Sequence, residues 1–249
     1  MKKLLIILLL FPVLLYSQEK FEMKTYICRM PIDGIKIDGF LNEKSWEKAV
    51  PTENFVEMTT GENMPYITWA KVLWNRGGLY LGFYVETENI WGTLTGRDAM
   101  LWHDTDVEVF LDTDGDGKDY LELEINALNT AYDVHWDLPL GREGKWDIGF
   151  NFEGLKHAVQ YKGTLNYNRD KDEYWTVEIF FPWFCFLKYK GNAEIPPKPG
   201  DKWIINFYRN EYDDSRTKVF DYIWRPHGGR NMHQPELFGE IIFSGDKVE

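Results

Sequence analysis

The stretch Asp106-Val107-Glu108-Val109-Phe110-Leu111-Asp112, its turn Thr113-Asp114-Gly115-Asp116-Gly117 and the return Leu121-Glu122-Leu123-Glu124-Ile125-Asn126 decide the fold class of this chain. Apolar residues recur at every second position on both arms, the period of a strand whose side chains point alternately to opposite faces. A helix would scatter Val107, Val109 and Leu111 around its axis. Aspartates and glycines between the arms supply hairpin turn chemistry. One face is therefore apolar, through Val107, Val109, Leu111, Leu121, Leu123 and Ile125. The other is acidic, through Asp106, Glu108, Glu122 and Glu124, and is expected to face water.

Outward from this hairpin the same period continues. Ile67 to Trp74, the turn Asn75-Arg76-Gly77-Gly78 and Leu79 to Val85 read as a second hairpin, with Leu79, Leu81, Phe83 and Val85 sharing a buried face. Further strands are expected at Thr130 to Trp136, Lys156 to Tyr161, Trp175 to Phe181, Trp203 to Asn210 and Gly239 to Phe243. The one helix signal is short, Asn42 to Ala49, with Asn42 as N-cap. No linker or repeat divides the chain. The pattern predicts an all-β protein, a two-sheet antiparallel β-sandwich with one short N-terminal helix, in a single domain spanning 18–249.

Residues 1–17 have the order of a secretory signal peptide, with Lys2 and Lys3, an apolar run Leu4 to Leu15, and Ser17 before the cleavage point. That run is shorter than the roughly 20 residues of a membrane-spanning helix. A secreted or periplasmic protein is expected, with no membrane attachment after cleavage. The formal net charge is −12, and loss of Lys2 and Lys3 makes it more negative. Such a surface repels phosphate backbones, which argues against nucleic acid as a partner, and tolerates neutral sugars and divalent cations. Cys28 and Cys185 could pair in an oxidising compartment or stay as separate buried thiols. Eleven tryptophans are an excess that suggests stacking surfaces.

Several segments together resemble the family-9 carbohydrate-binding modules. They are Ile37-Asp38-Gly39 with Trp46, Val72-Leu73-Trp74 with Leu79-Tyr80-Leu81, Leu101 to Phe110, Glu124-Ile125-Asn126-Ala127, and Pro235-Glu236-Leu237-Phe238-Gly239. The resemblance implies a β-sandwich that holds sugar rings between two tryptophans, with charged and amide side chains on the hydroxyls. Trp102 matches the first stacking tryptophan, and Glu108 and Asn126 match polar positions beside it. The second tryptophan is missing: Met232-His233 occupies its stretch, which leaves Trp224 as an alternative plane. Glu124 stands where the best-known members carry a cation.

The residues support the same reading on physical grounds. A pyranose offers an apolar face and a rim of hydroxyls, so its site needs an aromatic plane with fixed polar groups around it. The candidates are Trp102, Glu108, Glu124, Asn126, Asp133, Arg209, Trp224 and His233, with Arg209 as a bidentate donor. Asp112, Asp114 and Asp116 alternate as in the first half of a calcium loop, which reads either as a site for a structural Ca²⁺ or as an ordinary polar turn, since the later bidentate glutamate is lacking. Non-catalytic binding of a sugar or polysaccharide is the leading function. The alternative is a glycoside hydrolase that uses paired carboxylates, Glu108 and Glu124 on adjacent strands.

Overall fold

The computed structural model describes residues 21–213 and 216–249. The signal-peptide reading of residues 1–17 therefore lies outside the described residues. In chain order the elements are β1 (Thr25–Met30), α1 (Lys44–Lys48), β2 (Val56–Glu57), β3 (Thr68–Trp74), β4 (Gly78–Glu86), β5 (Asp106–Asp112), β6 (Tyr120–Asn126) and β7 (Ala131–Trp136). There follow β8 (Trp146–Asp147), β9 (Lys156–Lys162), β10 (Tyr174–Pro182), β11 (Lys202–Tyr212), β12 (Val219–Ile223) and β13 (Gly239–Lys247). The protein is all-β, with one short α-helix and three single turns of 3₁₀ helix among the described residues.

The strands form one hydrogen-bonded path, β8-β7-β6-β5-β11-β13-β1-β3-β4-β10-β9, with β12 paired to β11 and β2 to β12. Both hairpins read from the sequence are present: β3 pairs antiparallel with β4 and β5 with β6. Purely antiparallel pairing is not. β1 runs parallel to both β13 and β3, which the long intervening connections permit.

The link between β1 and β3 is a single pair, Arg29 opposite Leu73. Apolar residues from both sides of that link enter one core. Val107, Val109 and Leu111 meet Leu79, Leu81, Phe83 and Val85 in it, and Phe83 of β4 lies edge-on to Phe207 of β11 with ring centroids 5.6 Å apart.

Helix α1 starts after Glu43, without a side-chain cap of its own. The expected Asn42 cap is replaced from outside by the Asp33 carboxylate, which accepts the amides of Lys44 and Ser45. Cys28 and Cys185 are buried free thiols. Seven of the eleven tryptophans, Trp46, Trp74, Trp136, Trp175, Trp183, Trp203 and Trp224, are buried, so most of the aromatic excess is interior packing. Among the described residues no helix is long and apolar enough to cross a membrane.

Candidate functional site

The acidic face of the β5–β6 hairpin is not wet. Every residue of β5 and β6 is buried, on both faces. Register explains how the face is built: Glu108 opposes Glu124, Phe110 opposes Glu122, and Asp106 opposes Asn126. On the flanks, Tyr208 and Asn210 of β11 stand opposite Glu108 and Asp106, and Tyr132 of β7 stands opposite Glu124. A second apolar cluster, including Met58, Leu101, Phe110, Tyr132, Tyr208, Ile223 and Phe238, closes over them. Sequence alternation fixes which side chains share a face, but long-range segments decide whether water reaches it.

Glu108 is 1% and Glu124 2% exposed. Burial, reinforced by neighbouring carboxylates, holds Asp106, Glu108 and Glu124 well above the usual carboxylate range. Burial also pushes Glu122 up to about 7, although the Trp136 indole donates to it at 2.6 Å.

Trp102 is on a single 3₁₀ turn, Leu101–His103, immediately before β5. Leu101 is buried and anchors the turn. The Trp102 carbonyl accepts the Tyr212 hydroxyl at 2.8 Å and the Asn210 amide at 3.4 Å. The residue is 37% exposed, and its ring meets the edge of Tyr132 and tilts against His103, centroids 5.5 and 5.6 Å apart. This is the geometry of a plane fixed from behind and open in front.

Asn126 reaches the same region but is fully committed. Its amide donates to Leu94 O at 2.8 Å and Asp104 at 3.1 Å, and its carbonyl accepts the amides of Leu128 and Thr130. Two donors and two lone pairs are all that an asparagine offers. Asn126 therefore clamps the loop before Trp102 and has nothing left for a ligand.

His233 also joins the face, yet it is buried there. Its Nδ1 lies 3.0 Å from the Tyr120 hydroxyl, its ring is 4.4 Å from that of Trp136, and burial lowers its pKa to about 4.

Three candidates point the other way. Arg209 opposes Val107 and shares its inward face, where it pairs with Glu211 and donates to Thr68. Asp133 opposes Leu123 and binds Arg97 and the Phe152 amide. Trp224 is 1% exposed, packs on Phe207 and donates its indole N–H to Glu53. Each is one residue out of phase with the site face, and a one-residue step on a strand reverses the side chain.

Two residues were missed in the sequence. Asp106, read as part of the acidic face but not as a site residue, stands beside Glu108 and Glu124, and its i, i+2 spacing to Glu108 was the available signal. Trp146 is 55% exposed, pairs with Trp136 and lies on the same face. Its two-residue strand is too short to show a period.

At the turn, Asp112 accepts the Gly115 amide at 2.8 Å and the Gly117 amide at 2.9 Å, and Asp114 accepts Asn192 N at 2.8 Å. Gly115 and Gly117 have φ of 71° and 79°, in the left-handed region that favours glycine. Carboxylate oxygens of Asp112, Asp114 and Asp116 lie within 4.8 Å of one another. Burial raises Asp112 to about 6.

The site is a β ladder with two exposed tryptophans, Trp102 and Trp146, beside a closed polar floor. The profile of the family described as carbohydrate family 9 binding domain-like matches residues 37–246, and the chain belongs to that family. Its fold is similar to a family 9 carbohydrate-binding module from Caldicellulosiruptor kristjanssonii in complex with cellotriose, with TM-score 0.60 and 18% identity over 89% of this chain and 94% of that one. The structure of a family 9 module from the same organism in complex with glucose gives TM-score 0.59 and 19% identity over 91% and 98%. A Bacteroides uniformis protein gives 0.62 and 15% over 89% and 100%. No match is found among curated proteins.

Proposed function

We propose that this protein holds carbohydrate without catalysing its breakdown, with the exposed ring of Trp102 as the plane on which a pyranose stacks. The observation that carries the reading is Trp102 itself: 37% exposed, held by its own carbonyl, in a chain of family 9. Glu108 and Glu124 then act from below, as an acidic floor behind the plane. Trp146, the other exposed tryptophan of this face, is the candidate for a second contact, since His233 is buried and Trp224 is interior. The cellotriose and glucose held by the structural neighbours direct the first titrations to β-1,4-glucan fragments.

In this reading the two halves of the strand path are the two sheets of a β-sandwich, in one domain from residue 18. The mature chain works outside the cytoplasm after loss of residues 1–17. The Asp112 loop fits a structural Ca²⁺, because its three carboxylates converge and each oxygen that accepts an amide keeps a second lone pair.

The hydrolase alternative draws on one observation: Glu108 and Glu124 stand directly opposite, with raised pKa values. Against it, both are closed over by apolar side chains, so no glycosidic bond can lie between them without moving that layer. Calorimetric titration with a panel of gluco-oligosaccharides, run beside a reducing-sugar assay, tests both. Saturable heat without turnover supports binding; sugar release at protein concentrations far below substrate overturns it.

A further inference from the structure

At the centre of the acidic face both carboxylate oxygens of Glu108 are buried without a hydrogen-bond partner, beside Asp106 and Glu124, which lie close enough to share a proton. One oxygen from each residue lies within 4.8 Å of the other two. Glu108 is the telling member, buried, with neither oxygen bonded, and directly opposite Glu124.

The polar groups around them are committed elsewhere. The Tyr208 hydroxyl donates to Asp221, the Asn126 amide to Leu94 and Asp104, and the Trp136 indole to Glu122. Arg209 lies on the opposite face with Glu211, and Arg216 pairs with Asp104. Among the described residues no lysine, arginine or histidine forms an ion pair with Asp106, Glu108 or Glu124.

Buried carboxylates without partners are among the most unfavourable arrangements a fold can hold, and they are retained when something else supplies the countercharge. Sharing protons among the three carboxyls would reduce the charge but leave most of the convergent lone pairs unused. We propose that Asp106, Glu108 and Glu124 form a buried site for a hard divalent cation of the Ca²⁺ class, separate from the Asp112-Asp114-Asp116 loop. The donor set is all oxygen, without cysteine or histidine, which disfavours zinc. Mg²⁺ dehydrates reluctantly and keeps several waters, whereas Ca²⁺ takes carboxylate oxygens directly, which suits a floor closed over by apolar side chains. The ion would lie behind the Trp102 turn, because Asn210, which donates to the Trp102 carbonyl, stands opposite Asp106 on β11.

The test isolates this site by removing the loop first. The Asp114→Ala, Asp116→Ala double variant is stripped with chelator at pH 7.5 and titrated with Ca²⁺ by calorimetry. One Ca²⁺ per chain is expected, with a rise in melting temperature. Adding Glu108→Gln, which keeps size and removes charge, is expected to weaken that binding by about 100-fold, the order of two lost charge-assisted contacts. Its melting temperature in chelator should equal or exceed that of its parent, since a repulsion has been removed. Glu124→Gln serves as the second variant and should behave alike. Absence of Ca²⁺ binding in the double variant, or binding unchanged by both glutamine substitutions, overturns the proposal. Trp102→Ala is titrated in parallel and should keep the Ca²⁺ site while losing glycan affinity, so failure of the cation site and failure of the sugar reading are distinguishable.

Discussion

Trp102 and Trp224 share a side chain and differ in what surrounds it. The first is fixed at its backbone and open at its ring; the second is closed in by Phe207 and satisfied by Glu53. Trp102→Ala is expected to cost ~2 kcal/mol or more in glycan affinity, roughly thirtyfold, with a nearly unchanged melting temperature. Trp224→Ala should instead cost about 3–5 kcal/mol of folding stability. Calorimetry and thermal melts on the two variants check the pair, and the assignment fails if the losses are exchanged. His233 gives a pH signature of its own. Burial lowers its folded pKa to about 4, below the ordinary 6.5, so the folded state favours the neutral ring. That contribution is fully present above pH 6.5 and is lost as pH falls through 4. His233→Gln should therefore lose less melting temperature than the parent between pH 7 and 4, measured by scanning at intermediate pH. Which residue types could serve a site was legible in the sequence. Exposure was not, because it depends on Phe207, Glu53 and Trp136, which approach from distant parts of the chain.

Elements were read more surely than residues where a period ran long enough. The β3–β4 and β5–β6 hairpins carry four to six alternating positions each, and their pairing follows the sequence registers. The helix boundary failed for a physical reason: its cap, Asp33, lies eleven residues before Lys44 and comes to the helix end only in the folded chain. The segment Ile37-Asp38-Gly39, which carried part of the family resemblance, acts as a latch. Glu178 of β10 accepts the amides of Asp38 and Gly39 and the Trp46 indole, at 2.9, 2.8 and 2.7 Å. Gly39 has φ of 88°, and a Cβ there would meet the Val159 backbone at 2.8 Å. Glu178→Ala leaves three donors without their acceptor and should cost at least ~2–3 kcal/mol, read by denaturant unfolding. Binding at Trp102, on another strand system, should survive under native conditions. The β5–β6 turn offers a separate element test. If Ca²⁺ occupies the Asp112 loop, Asp114→Ala should remove a measurable part of the chelator sensitivity of the melting curve. An identical response to chelator in parent and variant would remove the loop from the account.

For the whole molecule, the all-β class followed from alternation alone, while the closing of one strand path onto a single core did not. The parallel pairing of β1 with β13 joins the first and last strands of the described residues, and nothing local in Thr25–Met30 encodes a partner at Gly239–Lys247. The covering of the acidic face is of the same kind, since Met58, Ile223 and Phe238 come from three separate regions. Arg209 shows how such long-range packing redefines a residue. Its strand position suggested a sugar donor; in the structure its guanidinium is wholly buried, stacked over Tyr222 at 4.5 Å, paired with Glu211, and donating at 2.7 Å to Thr68 on β3. It thus ties β11 to β3, which are not neighbours on the strand path. Arg209→Ala removes the countercharge and leaves Glu211 buried with the Thr87 hydroxyl at 3.5 Å, which typically costs about 3–5 kcal/mol. The double variant Arg209→Leu, Glu211→Leu removes both charges and fills the space, so it should recover most of that loss, because a buried ion pair contributes little beyond a well-packed apolar replacement. Urea unfolding of the three proteins, with glycan titration of each folded form, reads both quantities. Unchanged stability in Arg209→Ala, or a loss of glycan affinity in a fully folded double variant, would return Arg209 to the binding site and away from the core.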